Sequence, residues 1–213
     1  MFLDLTTTDR DWRDVYQLLI GSVNPRPIAL VSTISAAGQR NLAPFSFFNM
    51  VSGNPPVLII CPSFRRNGSP KDTLLNIREV PEFVVAVVTE AIVEPMTRAA
   101  ADLPRGDDEF AFAGLRPADA SLVRPPLVAE SPVNIECRLR QTVEISPLPG
   151  GGTVLFGDLV ALHIADEVLN PKGRIDPRLL PTIGRLGAQN YATVRHPYPL
   201  HVPPPPDAQG PAE

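Results

Sequence analysis

A chain of 213 residues with 44% hydrophobic content can bury one sizeable core, and nothing in its length requires a second. A formal net charge of -4 and an isoelectric point near 5.4 leave no general basic field, which argues against nucleic acid as the main partner. No run approaches the roughly 20 apolar residues of a membrane-spanning helix, residues 1–8 lack a basic leader, and Cys61 and Cys137 sit in apolar runs as buried free thiols, so a cytoplasmic protein with no membrane contact is expected.

Residues 11–20 mix Trp12, Val15, Tyr16, Leu18, Leu19 and Ile20 with polar side chains, the pattern of a short amphipathic helix that packs on the domain or on a partner subunit. Residues 26–34 and 57–61 are short β-branched runs bounded by proline or polar residues, as buried strands are. Gly38, in the polar segment 36–41, marks a hairpin turn that makes the 28–35 strand an antiparallel neighbour of the aromatic segment beyond it. That segment, 41–56, combines Phe45, Phe47, Phe48 and Met50 with Ser46, Asn49, Ser52 and Asn54, while Pro44 excludes a helix interior. Such a composition suits a wall against a flat, polar-edged ligand.

Residues 62–70 form a turn-rich loop carrying the adjacent Arg65 and Arg66. Ser69 as N-cap, Pro70 at the first helical position and Asp72 three residues after Ser69 predict a short helix reaching Glu79. Its first-turn N–H groups, with Lys71 and Thr73, make a place for a phosphate; a capped surface helix that binds nothing has the same signature. Residues 83–89 read as a central strand buried on both faces, and 92–103 as a helix with Ile92, Val93, Met96, Ala99, Ala100 and Leu103 on one face. Asp107, Asp108 and Glu109 lack alternating ligand spacing and read as a solvated turn, so no metal is assigned. The segment 113–132 is mostly loop, with 122–128 an extended edge piece. Residues 133–140 alternate strictly, one face core and the other wet or against a partner chain. The glycine cluster in 147–152 lacks both a dinucleotide fingerprint and a Walker lysine, and reads as a hairpin loop before the 153–164 strand. His163 in that strand has the setting of a structurally satisfied histidine. From 196 onward the chain is a proline-rich tail with too little apolar surface to fold alone.

Taken in order, Pro25-Arg-Pro-Ile-Ala-Leu-Val-Ser-Thr33, Asn41-Leu-Ala-Pro-Phe-Ser-Phe-Phe-Asn49, Val51-Ser52, Pro55-Pro56, Pro70-Lys-Asp-Thr-Leu74 and the Arg185-Leu-Gly run leading to Tyr191 resemble the flavin reductase-like, FMN-binding split-barrel family. The resemblance implies a mainly β fold, a Greek-key-like antiparallel split barrel with short flanking helices. Residues 1–23 would be a helical lead-in, 24–195 the flavin-binding domain and 196–213 the tail. It also implies a homodimer with FMN at or near the subunit interface, FAD being the alternative, and NAD(P)H as co-substrate. The activity implied is that of an NAD(P)H:flavin oxidoreductase supplying reduced flavin to an oxygenase partner.

Carried onto this sequence, the resemblance sets the isoalloxazine ring against Pro44, Phe45, Ser46 and Phe47. Asn49 and Ser52 would reach its polar edge or ribityl chain, and Arg26 and Thr33 would flank it. The phosphate would lie by Lys71, Asp72 and Thr73, with Asp72 offering its backbone N–H. Arg185 would meet the phosphate or the ring carbonyl edge, Tyr191 would cover the ring, and His163 would be the catalytic candidate near the nicotinamide approach. For Arg185 and Tyr191, a helix end packing on the barrel is the equal alternative. Two other functions stay open: an FMN electron carrier or substrate-specific flavoenzyme that does not use NAD(P)H, and a non-enzymatic barrel module. Ser46, Asn49, Ser52, Lys71 and Thr73, all present, weigh against the last.

Overall fold

The computed structural model describes residues 1–203. Helix α1 (Trp12–Ser22) is started by Asp11, whose carboxylate accepts from the Arg13 amide at 2.8 Å. After β1 (Arg26–Pro27), strands β2 (Ala29–Ile34) and β3 (Arg40–Phe45) form the expected antiparallel hairpin around Gly38, whose φ of 87° favours glycine. Strands β4 (Phe48–Gly53) and β5 (Pro56–Ile60) pair next, followed by α2 (Asp72–Glu79), β6 (Glu82–Val87), a 3-10 turn (Glu90–Ile92) and α3 (Val93–Arg98). Helix α4 (Glu109–Ala113) and the small pair β7 (Pro117–Ala118) and β8 (Leu127–Val128) precede the long hairpin of β9 (Val133–Glu144) and β10 (Thr153–Ile164). Last come β11 (Ile183–Arg185) and β12 (Tyr191–Thr193), which join β1 in a small separate sheet.

Seven strands make one antiparallel sheet in the order β3-β2-β6-β9-β10-β5-β4. The sheet curls into a split barrel. Phe45, on one edge strand, packs in a single cluster with Leu58 and Ile60 of β5, near the opposite edge, together with Ala29, Val31, Phe83, Val85, Leu155 and, from α2, Leu74 and Ile77. Alternate residues of β2 and β6 point the other way. Leu30 and Ala86 enter a second cluster with Ile92, Met96, Phe110 and Val128, so both faces of the central strands are buried, as their unbroken apolar runs predict.

Curling needs breaks in strand regularity. The β9–β10 register shifts at Phe156/Gly157 and at Leu159/Ala161, and β4–β5 shifts between Met50 and Ser52. At Gly157 a Cβ would lie 2.4 Å from the tip of the buried Phe83 ring, so only glycine lets that ring cross the bulge.

Several local expectations are corrected. Helix α2 begins at Asp72 with Lys71 at the N-cap, because the Ser69 hydroxyl and amide both turn back to Asn67 Oδ1. The helix expected over 92–103 stops at Arg98, whose guanidinium donates to Ala113 O, and 99–103 turns away. The acids at 107–109 are not a solvated turn: Asp108 caps α4, accepting from Phe110 N at 3.0 Å, and Glu109 is buried. The polar face of β9 is divided: Arg138 and Arg140 are exposed, as expected, while its first half is buried. Asn134 is bonded to Val128 and Ser131, and the fully buried Glu136 carboxylate accepts from the amides of Ser121 and Leu122 at 2.7 and 2.6 Å. Only Leu127 and Val128 of the expected 122–128 piece are strand. In the tail expected over 196–213, Tyr198, Leu200 and Val202 are exposed, and 204–213 lie outside the described residues.

Gly157→Ala is expected to lower stability by about 1–3 kcal/mol, the usual cost of overpacking a filled site. Urea denaturation should show this as a lower midpoint with an unchanged slope.

Candidate functional site

A cavity of about 600 Å³ opens beside the crossing from β3 to β4. One wall is the segment 43–47, and the end of β5 adds Cys61, whose thiol burial pushes up. The loop 63–67 and the start of α2 form the polar end, and 99–103 forms a roof. These elements meet because β3 and β5 lie at opposite sides of the curled sheet while α2 packs under both.

At the polar end, Lys71 places its ammonium 5.6 Å from the centre of the Phe45 ring. It has no anionic partner among the described residues, and burial, then the Arg65 charge, holds it below the ordinary lysine range. Arg66 is exposed and likewise makes no ion pair among them. Arg65, by contrast, is fully engaged: its guanidinium donates to Asp72 Oδ2 at 2.8 Å, to Asp102 Oδ1 at 2.9 Å and to Pro70 O. Asp72 is also held by Arg105 at 3.0 Å. The Asp72 carboxylate therefore faces cations of its own chain.

Behind the wall lies a buried polar cluster. Asn41 Nδ2 donates to Thr33 Oγ1 and to Thr73 Oγ1, each at 3.1 Å, and Asn76 Nδ2 donates to Thr33 Oγ1 at 3.1 Å. It fixes the Asn41 and Thr73 side chains at the cavity floor. Glu109 enters from α4, accepting the Leu42 amide at 3.2 Å, and burial raises its pKa.

The lining is also aromatic. Tyr16 of α1 meets Phe47 edge-on at 6.5 Å between ring centres, and Trp12 meets Tyr16 at 6.4 Å. Helix α1 buries only Ile20, and it meets the domain through Tyr16 on Phe47, through Trp12 against Gly150 and through Arg26. Arg26 is 6% exposed. It donates from Nη1 to Ile20 O and Val23 O, each at 2.6 Å, and from Nη2 to Leu186 O at 3.0 Å, with Nε 3.4 Å from Ser46 Oγ. It ties the C-terminal carbonyls of α1 to the cavity wall.

The sequence profile of the flavin reductase-like domain matches residues 21–180. The chain belongs to this family. Among solved structures it is similar to nitrilotriacetate monooxygenase component B from Bacillus cereus, with 33% identity, a TM-score of 0.87 and coverage of 94% of this chain and 99% of that one. It is also similar to 2-nitrobenzoate 2-nitroreductase of Pseudomonas fluorescens, with 31% identity, a TM-score of 0.84 and coverage of 95% and 96%. An uncharacterized protein of Aquifex aeolicus is 36% identical over 189 residues, 89% of this chain and 94% of its own.

Within this flavin reductase-like domain, Pro44, Phe45, Ser46, Phe47, Lys71, Asp72 and Thr73 all line the same cavity. The other candidates lie elsewhere. Thr33 sits behind the floor and Arg26 behind the wall. Asn49 and Ser52 belong to the edge strand β4, where Asn49 Oδ1 accepts its neighbour's amide, Met50 N. Arg185 is stacked 4.5 Å over Tyr191 in the β11–β12 hairpin, which replaces the helix end considered for them, and donates to Ala188 O and Tyr191 OH. His163 pairs its Nε2 with Glu136 Oε1 at 2.6 Å, outside the cavity. Burial raises the Glu136 carboxyl, but the Ser121 amide, the His163 ring and the Leu122 amide outweigh it and hold it below the usual glutamate range.

Sequence reasoning missed Tyr16, Asn41, Arg66, Asp102 and Glu109 as lining residues. The adjacent arginines before a helix start were a usable signal for Arg66. Asp102 and Glu109 had none, since only the fold brings them to the loop 62–70 and to β3.

Arg26→Met strands the carbonyls of Ile20, Val23 and Leu186. It is expected to cost about 2–4 kcal/mol in urea unfolding, the scale of losing charge-assisted bonds at buried acceptors. Limited proteolysis should then cut near residues 12–23 before the rest of the chain.

Proposed function

We propose that this protein is an NAD(P)H:flavin oxidoreductase that holds FMN, with FAD as the alternative, in the cavity beside the β3–β4 crossing and passes reduced flavin to an oxygenase partner. One observation carries the proposal: Lys71 and Arg66, which make no ion pair among the described residues, line the same cavity as the aromatic wall of Phe45, Phe47 and Tyr16, with the Lys71 ammonium against the Phe45 ring. That pairing matches a molecule that is anionic at one end and flat and apolar at the other. The Bacillus cereus relative, by its name, is a component of a monooxygenase, which supports the oxygenase partner.

When bound, the flavin supplies the two-electron chemistry, taking a hydride from a nicotinamide and passing the electrons on. Lys71 and Arg66 would balance the phosphate, and Asn41 and Thr73 would offer hydrogen-bonding groups from a floor that cannot shift. Phe45, Phe47 and Tyr16 would exclude water from the ring. Thr33 and Arg26 would act through others, Thr33 by orienting Asn41 and Arg26 by seating α1 and Ser46. Adding NADH or NADPH anaerobically to the FMN-loaded protein should bleach the oxidised flavin band; a band that persists with both nucleotides sinks the proposal.

Lys71→Met is expected to weaken FMN about 10- to 100-fold, the value of one charge-assisted bond, with riboflavin little affected. Because burial lowers the folded-state pKa of Lys71, its charge is lost as pH rises through that lowered value. FMN affinity in the native protein should therefore fall at less alkaline pH than an ordinary lysine would give, and the fall should vanish in the methionine variant. Fluorescence titration across pH measures both.

The cytoplasmic homodimer is part of the same proposal. The edge strand β4 exposes Met50 and Val51 by 47% and 49%, next to Phe47 at the cavity wall, as a surface shared with a second copy would. Asn49, Ser52, Arg185, Tyr191 and His163 would then serve the interface or the second copy's flavin. Sedimentation should give a dimeric mass for the native chain and a monomeric mass for Met50→Glu combined with Val51→Glu; a monomeric native chain removes this part. Among the described residues no helix is long and apolar enough to cross a membrane.

A second reading has its own support. The 31% identity to a nitroreductase and the Tyr16–Phe47 pair at the cavity favour direct reduction of a small aromatic acid by the bound flavin. Rapid reoxidation of the reduced protein by 2-nitrobenzoate, with slow transfer to free flavin, would select it.

A further inference from the structure

The two acids on Arg65 are held very differently. Asp72 has 12% of its side chain exposed and is gripped from two sides, by Arg65 at 2.8 Å and by Arg105 at 3.0 Å. Asp102 has 78% exposed and makes one ion pair, 2.9 Å from Arg65 Nε. An exposed single pair contributes little against water and salt, so Asp102 is the partner that Arg65 can exchange. Asp102 belongs to the 99–103 roof, and its pair with Arg65 ties that roof to the loop 62–70 across the polar end of the cavity. It also favours the charged form of Lys71, against burial and the Arg65 charge. An anion delivered by a ligand would serve Arg65 and Lys71 in the same way.

We propose that Asp102 is a specificity-determining residue: its carboxylate competes with a ligand's phosphate for Arg65, and the exchange releases the 99–103 roof from the 62–70 loop. The competition sets how strongly the site prefers a phosphorylated ligand over the same ligand without phosphate. The choice of flavin as that ligand rests on the proposed function; the competition rests on the Arg65 geometry. Asp102 is the right residue to change because its exposed side chain contributes little to the fold.

The test titrates FMN and riboflavin, which differ only in the phosphate, into the native protein, Asp102→Asn and the double variant Asp102→Asn with Arg65→Gln. In parallel, inorganic phosphate is added and the melting midpoint followed. Asp102→Asn should tighten FMN about two- to fivefold, the range of one exposed ion pair, and leave riboflavin unchanged. Phosphate should raise its midpoint more than that of the native protein, and Arg65→Gln should erase both gains. If both flavins bind with an unchanged ratio and phosphate shifts the two proteins equally, the competition is overturned and the flavin site stands. If neither flavin binds any variant, the flavin proposal is overturned, and the phosphate shifts decide alone: a larger shift in Asp102→Asn upholds the competition, and equal shifts overturn it.

Discussion

The arrangement of this protein depends on how tightly its seven-stranded sheet curls. Phe45 at one edge can reach Leu58 and Ile60 near the other only if β10 and β4 break register, and the sharpest break is at Gly157, where the Phe83 ring occupies the space of a side chain. The same curl leaves β3 and β4 as unpaired edges joined by Ser46 and Phe47. The cavity lies at that junction, where the chain has left one strand without starting the next and the Phe47 carbonyl accepts from the Cys61 amide at the end of β5.

Around this opening the charges are arranged in two sets. One set is satisfied within the chain: Asp102, Arg65, Asp72 and Arg105 form a line of alternating sign that ties roof, loop and α2 together. The other set, Lys71 and Arg66, has no partner among the described residues. A half-buried ammonium without an ion pair is costly, and this is what distinguishes Lys71 from the paired charges beside it. Arg26 belongs to neither set. Its charge is spent on carbonyls, and it acts as a mechanical tie between α1 and the wall.

Local chemistry made much of this legible. The hairpin at Gly38, the doubly buried β6 and the hairpin before β10 all arise from neighbours in the chain, and Pro44 to Phe47 and Lys71 to Thr73, which line the cavity, lie in two contiguous motifs that the family resemblance singles out. Where reading failed, the deciding partner usually lay outside the local pattern. Ser69 lost its capping role to Asn67 in the adjoining loop turn, and Glu109 became buried because the Leu42 amide on an edge strand needs an acceptor. Glu136 looked solvent-facing in a strictly alternating strand, yet a loop some 15 residues earlier folds its amides onto the carboxylate.

Strand and turn content and the two apolar faces of the central strands were thus determined by the sequence alone, because periodicity and turn chemistry act over a few residues. Which charges are already paired within the chain was decided by the fold. Arg65 and Arg66 are indistinguishable as neighbours in a loop; one is neutralised by acids from two other segments and the other is not, since pairing of charges depends on distances that only tertiary contacts set.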